Sequence, residues 1–294
     1  MSKRLLPAFA ILALIVLLGI AAGLLFGGGG EVEKAGQQAQ HEEAAVPSPP
    51  KAGKKASIEP RPPLINSRPM AASTKFYKPR EFQTLSERIL TYFWLEPAKP
   101  HPRGVKFPLV IVLHGGTGRA YAAEYLATPL MRERYPSFIA VPVTPKPAIW
   151  AHPDARYSAQ ENLGYVEELI GELMQKHPVD PNRIYIIGCS IGGTGAFGAI
   201  ARYPDLFAAG IAISGYWKDI DAPIMINTPL LIIHGAEDSV LDPARSREMA
   251  DSIKDNGGHR VLYREVTDFG HNCPSPALYN INIWGWLYAQ NKLK

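Results

Sequence analysis

The sequence predicts an α/β fold, a mostly parallel sheet with helices on both faces, and two observations carry that prediction. From Phe82 onward, apolar runs of strand length alternate with longer stretches of helical periodicity. The 294-residue chain is 46% hydrophobic, enough to bury a real core. The strands expected are residues 88–96, 108–114, 137–143, 183–188, 208–214, 228–234 and 260–266. The clearest helix between them is 164–176, with Val166, Leu169, Ile170 and Leu173 on one face and Asp180-Pro181 ending the following turn. Loops at the carboxyl ends of such strands are where chemistry belongs.

Ahead of this domain, assigned to residues 81–294, lie two segments of different character. Residues 5–26 are an almost unbroken apolar run behind Lys3 and Arg4. That length spans a hydrocarbon core of about 30 Å, so residues 1–26 read as a transmembrane signal anchor. The basic start stays on the cytoplasmic side and the domain lies outside, periplasmic or extracellular. A cleaved signal peptide, which would leave a secreted protein, is the competing reading, since Ala21, Ala22 and Gly23 could precede a cut. Residues 27–80 are rich in Pro, Ala, Gly and Lys without helical or strand periodicity and read as a flexible linker.

The formal charge of +4 is not spread evenly. Lys3 and Arg4 contribute +2, and nine Lys/Arg against five Asp/Glu between Glu31 and Arg80 a further +4, which leaves the chain from Glu81 onward at −2. A mildly acidic domain without a basic face or recognition motif offers nucleic acid no partner surface. No metal or cofactor is expected: His41-Glu42-Glu43 and His152-Pro153-Asp154 lack the spacing of a ligand set.

The chemistry is concentrated in four loops. Residues 183–187 lead into Gly188-Cys189-Ser190-Ile191-Gly192-Gly193 and then a run of small residues, a strand, Gly-x-Ser-x-Gly and helix in series. The glycines permit a sharp turn that lifts the Ser190 hydroxyl clear of the sheet, the placement of a nucleophile. Upstream, Leu109–Leu113 runs into His114-Gly115-Gly116-Thr117-Gly118. A tetrahedral oxyanion needs two backbone N–H donors, one after the nucleophile and one from such a loop, hence Ile191 and Gly116, with Thr117 as second choice. His114 is read as structural. The strand ending at His234 is followed by Glu237, Asp238 and Asp242. Asp238, just past the strand end, is the expected acid, and Asp242 before Pro243 suits the N-cap of a helix over 244–253. After the last strand, Asp268-Phe269-Gly270-His271 supplies the base, whereas His259 precedes its strand and falls at the wrong end of the sheet. Trp150, Tyr216 and Trp217 follow strands at this same edge and are expected to form an apolar wall of the substrate pocket.

These residues resemble the α/β-hydrolase superfamily, and within it the serine-esterase branch of phospholipase/carboxylesterases, feruloyl esterases and polyhydroxybutyrate-depolymerase-like enzymes. The matching stretches are Leu113-His-Gly-Gly116, Val179 to Ile184 leading to Gly188-Cys-Ser-Ile-Gly-Gly193, Ile233-His-Gly-Ala-Glu-Asp238, and Gly270-His271. The resemblance covers about Glu81 to the C-terminus and implies a serine hydrolase acting on carboxylic esters, small or polymer-borne, through an acyl-enzyme. A peptidase of the prolyl-oligopeptidase kind uses the same triad, but the chain has no room for a gating propeller. A non-catalytic cell-envelope binding protein on the same scaffold is the reading from another class. Cys189 and Cys273, the only cysteines, flank Ser190 and His271 closely enough for a disulfide once those two meet, as tannase-like and some feruloyl esterases similarly join theirs. Two buried free thiols are the alternative.

Overall fold

The computed structural model describes residues 76–98, 103–144, 149–153, 162–273 and 280–293. The expected membrane anchor and the linker up to residue 75 lie outside the described residues. Among the described residues no helix is long and apolar enough to cross a membrane.

Eight strands form one sheet in the order β1-β2-β4-β3-β5-β6-β7-β8. They are β1 Lys78–Gln83, β2 Ile89–Leu95, β3 Phe107–Leu113, β4 Phe138–Pro142, β5 Val179–Cys189, β6 Ala209–Ile213, β7 Leu230–Gly235 and β8 Val261–Val266. β1 and β2 run antiparallel to their neighbours, and every other pairing is parallel. Seven of these are the expected strands with ends moved by a few residues. The largest move is at β5, which begins at Val179 because that residue pairs with Phe107 across a bulge. Asp180-Pro181 thus lies inside the strand.

β1 has no counterpart in the sequence reading. Its sequence, Lys78-Pro-Arg-Glu-Phe-Gln83, leaves only Phe82 buried, so it carries no apolar alternation. It is an edge strand, where Pro79 and charged side chains are tolerated because one row of backbone groups faces away from the sheet. The turn to β2 closes through Thr84: its N–H donates to Arg88 O at 2.8 Å and its Oγ1 accepts from Arg88 N–H at 3.0 Å.

The central strands bury both faces. Leu109, Ile111, Leu113, Ile184 and Ile186 pack on one side against α3 Leu163–Lys176, α4 Ile191–Arg202 and α6 Pro243–Asp255. Val110, Val112, Tyr185, Ile187 and Ile213 pack on the other against α1 Tyr121–Leu126, α2 Pro129–Arg134 and α7 Ile281–Tyr288. Side chains alternate across a strand, so a continuous apolar run fills both cores at once. A short 3-10 turn, Asp219–Asp221, and the single-turn α5, Ala222–Met225, join β6 to β7. The chain passes from β3 to β4 on one side and then returns to place β5 on the other. The loops leaving β3 and β5 therefore diverge and open a crevice at the carboxyl edge.

Trp94 on β2 locks the antiparallel end to the parallel centre. It is 2% exposed, stacks on Phe138 with centroids 5.1 Å apart, and meets His177 at 4.8 Å. Trp94→Ala should cost about 3–5 kcal/mol. Urea unfolding should show a lower midpoint at unchanged slope, and an unchanged midpoint would remove Trp94 from this role.

Candidate active site

The turn from β5 into α4 holds Ser190 at φ 58° and ψ −123°, the positive-φ side where a side-chain-bearing residue rarely rests. It is held there by close backbone packing. A Cβ added at Gly188 would lie 1.9 Å from Gly192 O, one at Gly192 2.3 Å from Leu113 O, and one at Gly193 2.4 Å from Ile213 O. Ser190 N–H donates to Ile213 O at 2.9 Å, and Ser190 O accepts from Thr194 N–H at 3.0 Å to start the helix. β3, β5 and β6 thus close around one residue, and its Oγ projects from the sheet edge.

The hydroxyl of Ser190 donates to His271 Nε2, 2.8 Å away, and His271 Nδ1–H donates to Asp238 Oδ2 at 2.7 Å. Asp238 Oδ1 accepts from the N–H groups of Val240 and Leu241, both at 2.9 Å. Burial pushes the Asp238 carboxyl up, but the N–H groups of Leu241, His271 and Val240 outweigh it and hold the group below the usual carboxylate range. Asp238 is therefore anionic at neutral pH, which fixes the proton of His271 on Nδ1 and leaves Nε2 free to accept. The other carboxylates have different work. Asp242 caps α6 by accepting from Ala244 N–H at 2.9 Å, while Glu237 is exposed and donates its backbone N–H to Phe269 O at 2.8 Å. His259 is exposed beside the start of β8.

The acid and base loops are laced together through backbone. A Cβ at Gly235 would meet Phe269 O at 2.3 Å, so the exit of β7 and the His271 loop touch directly. Cys189 and Cys273 are joined, with Cα atoms 5.7 Å apart, across 84 residues of sequence. This disulfide ties the residue before Ser190 to the loop bearing His271.

The loop after β3 folds back on itself: Gly115 N–H donates to Arg119 O at 3.1 Å and Gly118 N–H to Gly115 O at 2.9 Å. An added Cβ at Gly115 would lie 3.7 Å from Ser190 Cβ, so this loop borders the hydroxyl. The next residue, Gly116, has open space about its Cα. Ile191 opens α4, where first-turn N–H groups lack helical partners. His114 braces the loop: its Nε2 accepts from Thr144 N–H at 3.2 Å, so Nδ1 carries the proton and donates to Gly115 O at 2.8 Å. Burial lowers its pKa and keeps it neutral, against a smaller opposing effect of the Gly115 bond.

The expected aromatic wall is corrected by the structure. Trp150 is fully buried: its Nε1–H donates to His114 O at 2.9 Å, and its Cβ occupies the space where a Cβ on Gly195 would come within 2.6 Å. Trp217 is 6% exposed, its Nε1–H donates to Asp221 Oδ2 at 2.9 Å, and its ring lies against Gly198. Gly195 and Gly198, one turn apart on α4, leave slots that the two indoles fill, so both belong to the core. Tyr216 alone stays partly exposed, with its ring 4.7 Å from the Arg245 guanidinium.

Two residues without an assigned role in the sequence also belong here. His234, fully buried at the end of β7, places Nε2 3.1 Å from Asp238 Oδ2, and Ser246 on α6 meets its Nδ1 at 2.7 Å. The His-x-x-x-Asp spacing at a strand exit is the signal that could have revealed the first; nothing marks the second. Among the described residues no group of three or more His, Cys, Asp or Glu could hold a metal ion.

The disulfide leads to a measurable consequence. Thiol titration of the denatured, unreduced chain should find none of its two cysteines free, and finding both free would rule out the bond. Closing a loop of this length stabilises by roughly 4–5 kcal/mol on the chain-entropy account, so Cys273→Ser should lower Tm by several degrees.

Comparison with known proteins finds similarity to esterases. The Phospholipase/Carboxylesterase family model matches residues 152–283, a stretch containing Ser190, Asp238 and His271. Poly(3-hydroxyalkanoate) depolymerase C of Paucimonas lemoignei is 27% identical over 114 residues, 37% of this chain and 28% of that protein. Feruloyl esterase B of Neurospora crassa is 29% identical over 124 residues, 40% of this chain and 41% of that protein. The chain thus spans less than half the length of these curated relatives. A thermostable esterase of known structure superposes with TM-score 0.67 at 26% identity, covering 74% of this chain and 63% of that one. Sheet order, elbow and likeness together lead to one conclusion: the chain has an α/β-hydrolase fold and is similar to esterases that share it.

Proposed function

We propose that this chain hydrolyses carboxylic esters through a covalent acyl-enzyme on Ser190. One observation carries the reading: residues from three separate loops form a single proton relay, Ser190 to His271 at 2.8 Å and His271 to Asp238 at 2.7 Å. Ser190 Oγ attacks the ester carbonyl carbon as His271 Nε2 takes its proton. The resulting oxyanion is met by the N–H groups of Ile191 and Gly116, each donor of this kind contributing about 3–4 kcal/mol to the transition state. As the tetrahedral species collapses, His271 returns the proton to the departing alkoxide. Water then attacks the acyl carbon by the same route, giving up a proton to His271; collapse breaks the bond to Ser190 Oγ, which takes that proton back from His271, and the acyl group leaves as carboxylic acid. Asp238 offsets the charge on His271 at each tetrahedral stage.

The names of the relatives support a polymer-borne or aromatic ester as the class of substrate. The open setting supports it too, since Ser190 is partly exposed and the His271 side chain is 19% exposed. The apolar run at residues 5–26 supports a domain anchored outside the cytoplasm, where a disulfide persists.

Ser190→Ala should lower hydrolysis of p-nitrophenyl acetate by about 10⁴-fold or more with the fold retained by circular dichroism. A variant that hydrolyses as fast as the parent would exclude Ser190. The reaction needs neutral His271, so kcat/KM should fall as the solution is acidified from neutral. A flat profile there would exclude the assigned base.

A further inference from the structure

Asp238 is shared by two histidines, and the second has no part in the relay just described. His234 is fully enclosed at the end of β7. Its protons can be counted from its partners. Ser246 Oγ lies 2.7 Å from Gly215 O, and a carbonyl can only accept, so the single hydroxyl proton of Ser246 is spent there. Ser246 Oγ must then accept at its other contact, and His234 Nδ1, 2.7 Å away, carries a hydrogen. His234 Nε2 faces Asp238 Oδ2 at 3.1 Å and Leu241 O at 3.0 Å, a carboxylate and a carbonyl, both acceptors. It carries a hydrogen as well. A ring with hydrogens on both nitrogens is an imidazolium.

The other charges around it are accounted for. Glu265 stands opposite His234 in the β7–β8 register, but its Oε2 is engaged by Arg247 from α6 and by Tyr263, each at 2.6 Å. His271 reaches it only through Asp238. The carboxylate that balances the buried ring is therefore Asp238, which receives four hydrogen bonds, from Val240, Leu241, His271 and His234.

We propose that His234 is a positioning residue for the catalytic acid: a buried imidazolium that clamps Asp238 and shares its negative charge, so that His271 returns its proton more readily. This rests on the relay assigned above. A carboxylate bonded to one cation stabilises a second one less than it would alone, so His234 keeps His271 from becoming too strong a base to release its proton. The same hydrogen-bond chain joins three elements. It runs from Asp238 through His234 and Ser246 to Gly215, where an added Cβ would come within 2.5 Å of Gly193 and Thr194 on the elbow helix. The acid and the nucleophile thus share one buried strut.

Two measurements test this. In the full chain labelled with ¹⁵N-histidine, His234 should show both ring nitrogens protonated at pH 7; one unprotonated nitrogen would overturn the proposal. His234→Gln keeps a donor for Asp238 and removes the charge. Its acid limb of kcat/KM should move to higher pH by roughly half a unit or more, because Asp238 then acts on His271 alone. Ser246→Ala leaves His234 in place without an acceptor for Nδ1–H and should shift the limb the same way, which keeps the test intact if the first variant does not fold. A purely structural His234 would slow the reaction with the limb unmoved, and that result would overturn the proposal. Absence of ester hydrolysis in the parent would instead refute the relay, a separate outcome that the nitrogen spectrum does not depend on.

Discussion

The left-handed backbone at Ser190 is the constraint on which the rest of the site depends. A serine does not hold φ 58° unaided, and this one is fixed by the close packing of its neighbours: Gly188 at the end of β5 lies against Gly192 O of α4, Gly192 against Leu113 O of β3, and Gly193 against Ile213 O of β6. A side chain at 188 would push β5 from α4, and one at 192 or 193 would push α4 from β3 or β6, so the glycines serve the closeness of helix and sheet as much as the bend of the turn. The bend points Oγ out of the sheet, starts α4 with Ile191, and puts the β3 loop alongside. Every other residue of the site is placed relative to that turn.

Around it, the structure solves an electrostatic problem. A buried carboxylate is costly unless its lone pairs are met, and Asp238 meets that cost with donors from its own loop, from His271 and from His234. The loop that carries His271 leaves β8 at the sheet's edge, and it is held further by backbone contact at Gly235 and by the Cys189–Cys273 bond. The hydrogen-bond partners of Asp238 and the position of His271 are thus set by the fold itself.

Much of this was legible in the sequence, because the chemistry sits where strand periodicity breaks. Ser190, Asp238 and His271 each follow an apolar run by a few residues, and a parallel sheet brings such exits to one edge. Other features were illegible for definite reasons. β1 lacks an apolar pattern because an edge strand with one buried residue does not need one. Trp150 and Trp217 are near the edge in sequence, but the space that decides their role is made by Gly195 and Gly198 on α4, a three-dimensional match that spacing does not reveal. His234 is marked only by its spacing to Asp238, and its role emerges when its partners Ser246 and Gly215, from two other elements, are brought beside it.

The most direct test of the central claim is covalent. A fluorophosphonate reacts only with a serine whose hydroxyl is activated by a neighbouring base and whose attached oxygen finds oxyanion donors. Incubated with the intact chain, it should add one adduct per molecule, mapped by peptide mass spectrometry to Ser190, and His271→Ala should take it up far more slowly. An adduct on another residue, no adduct, or equal labelling without His271 would contradict the account.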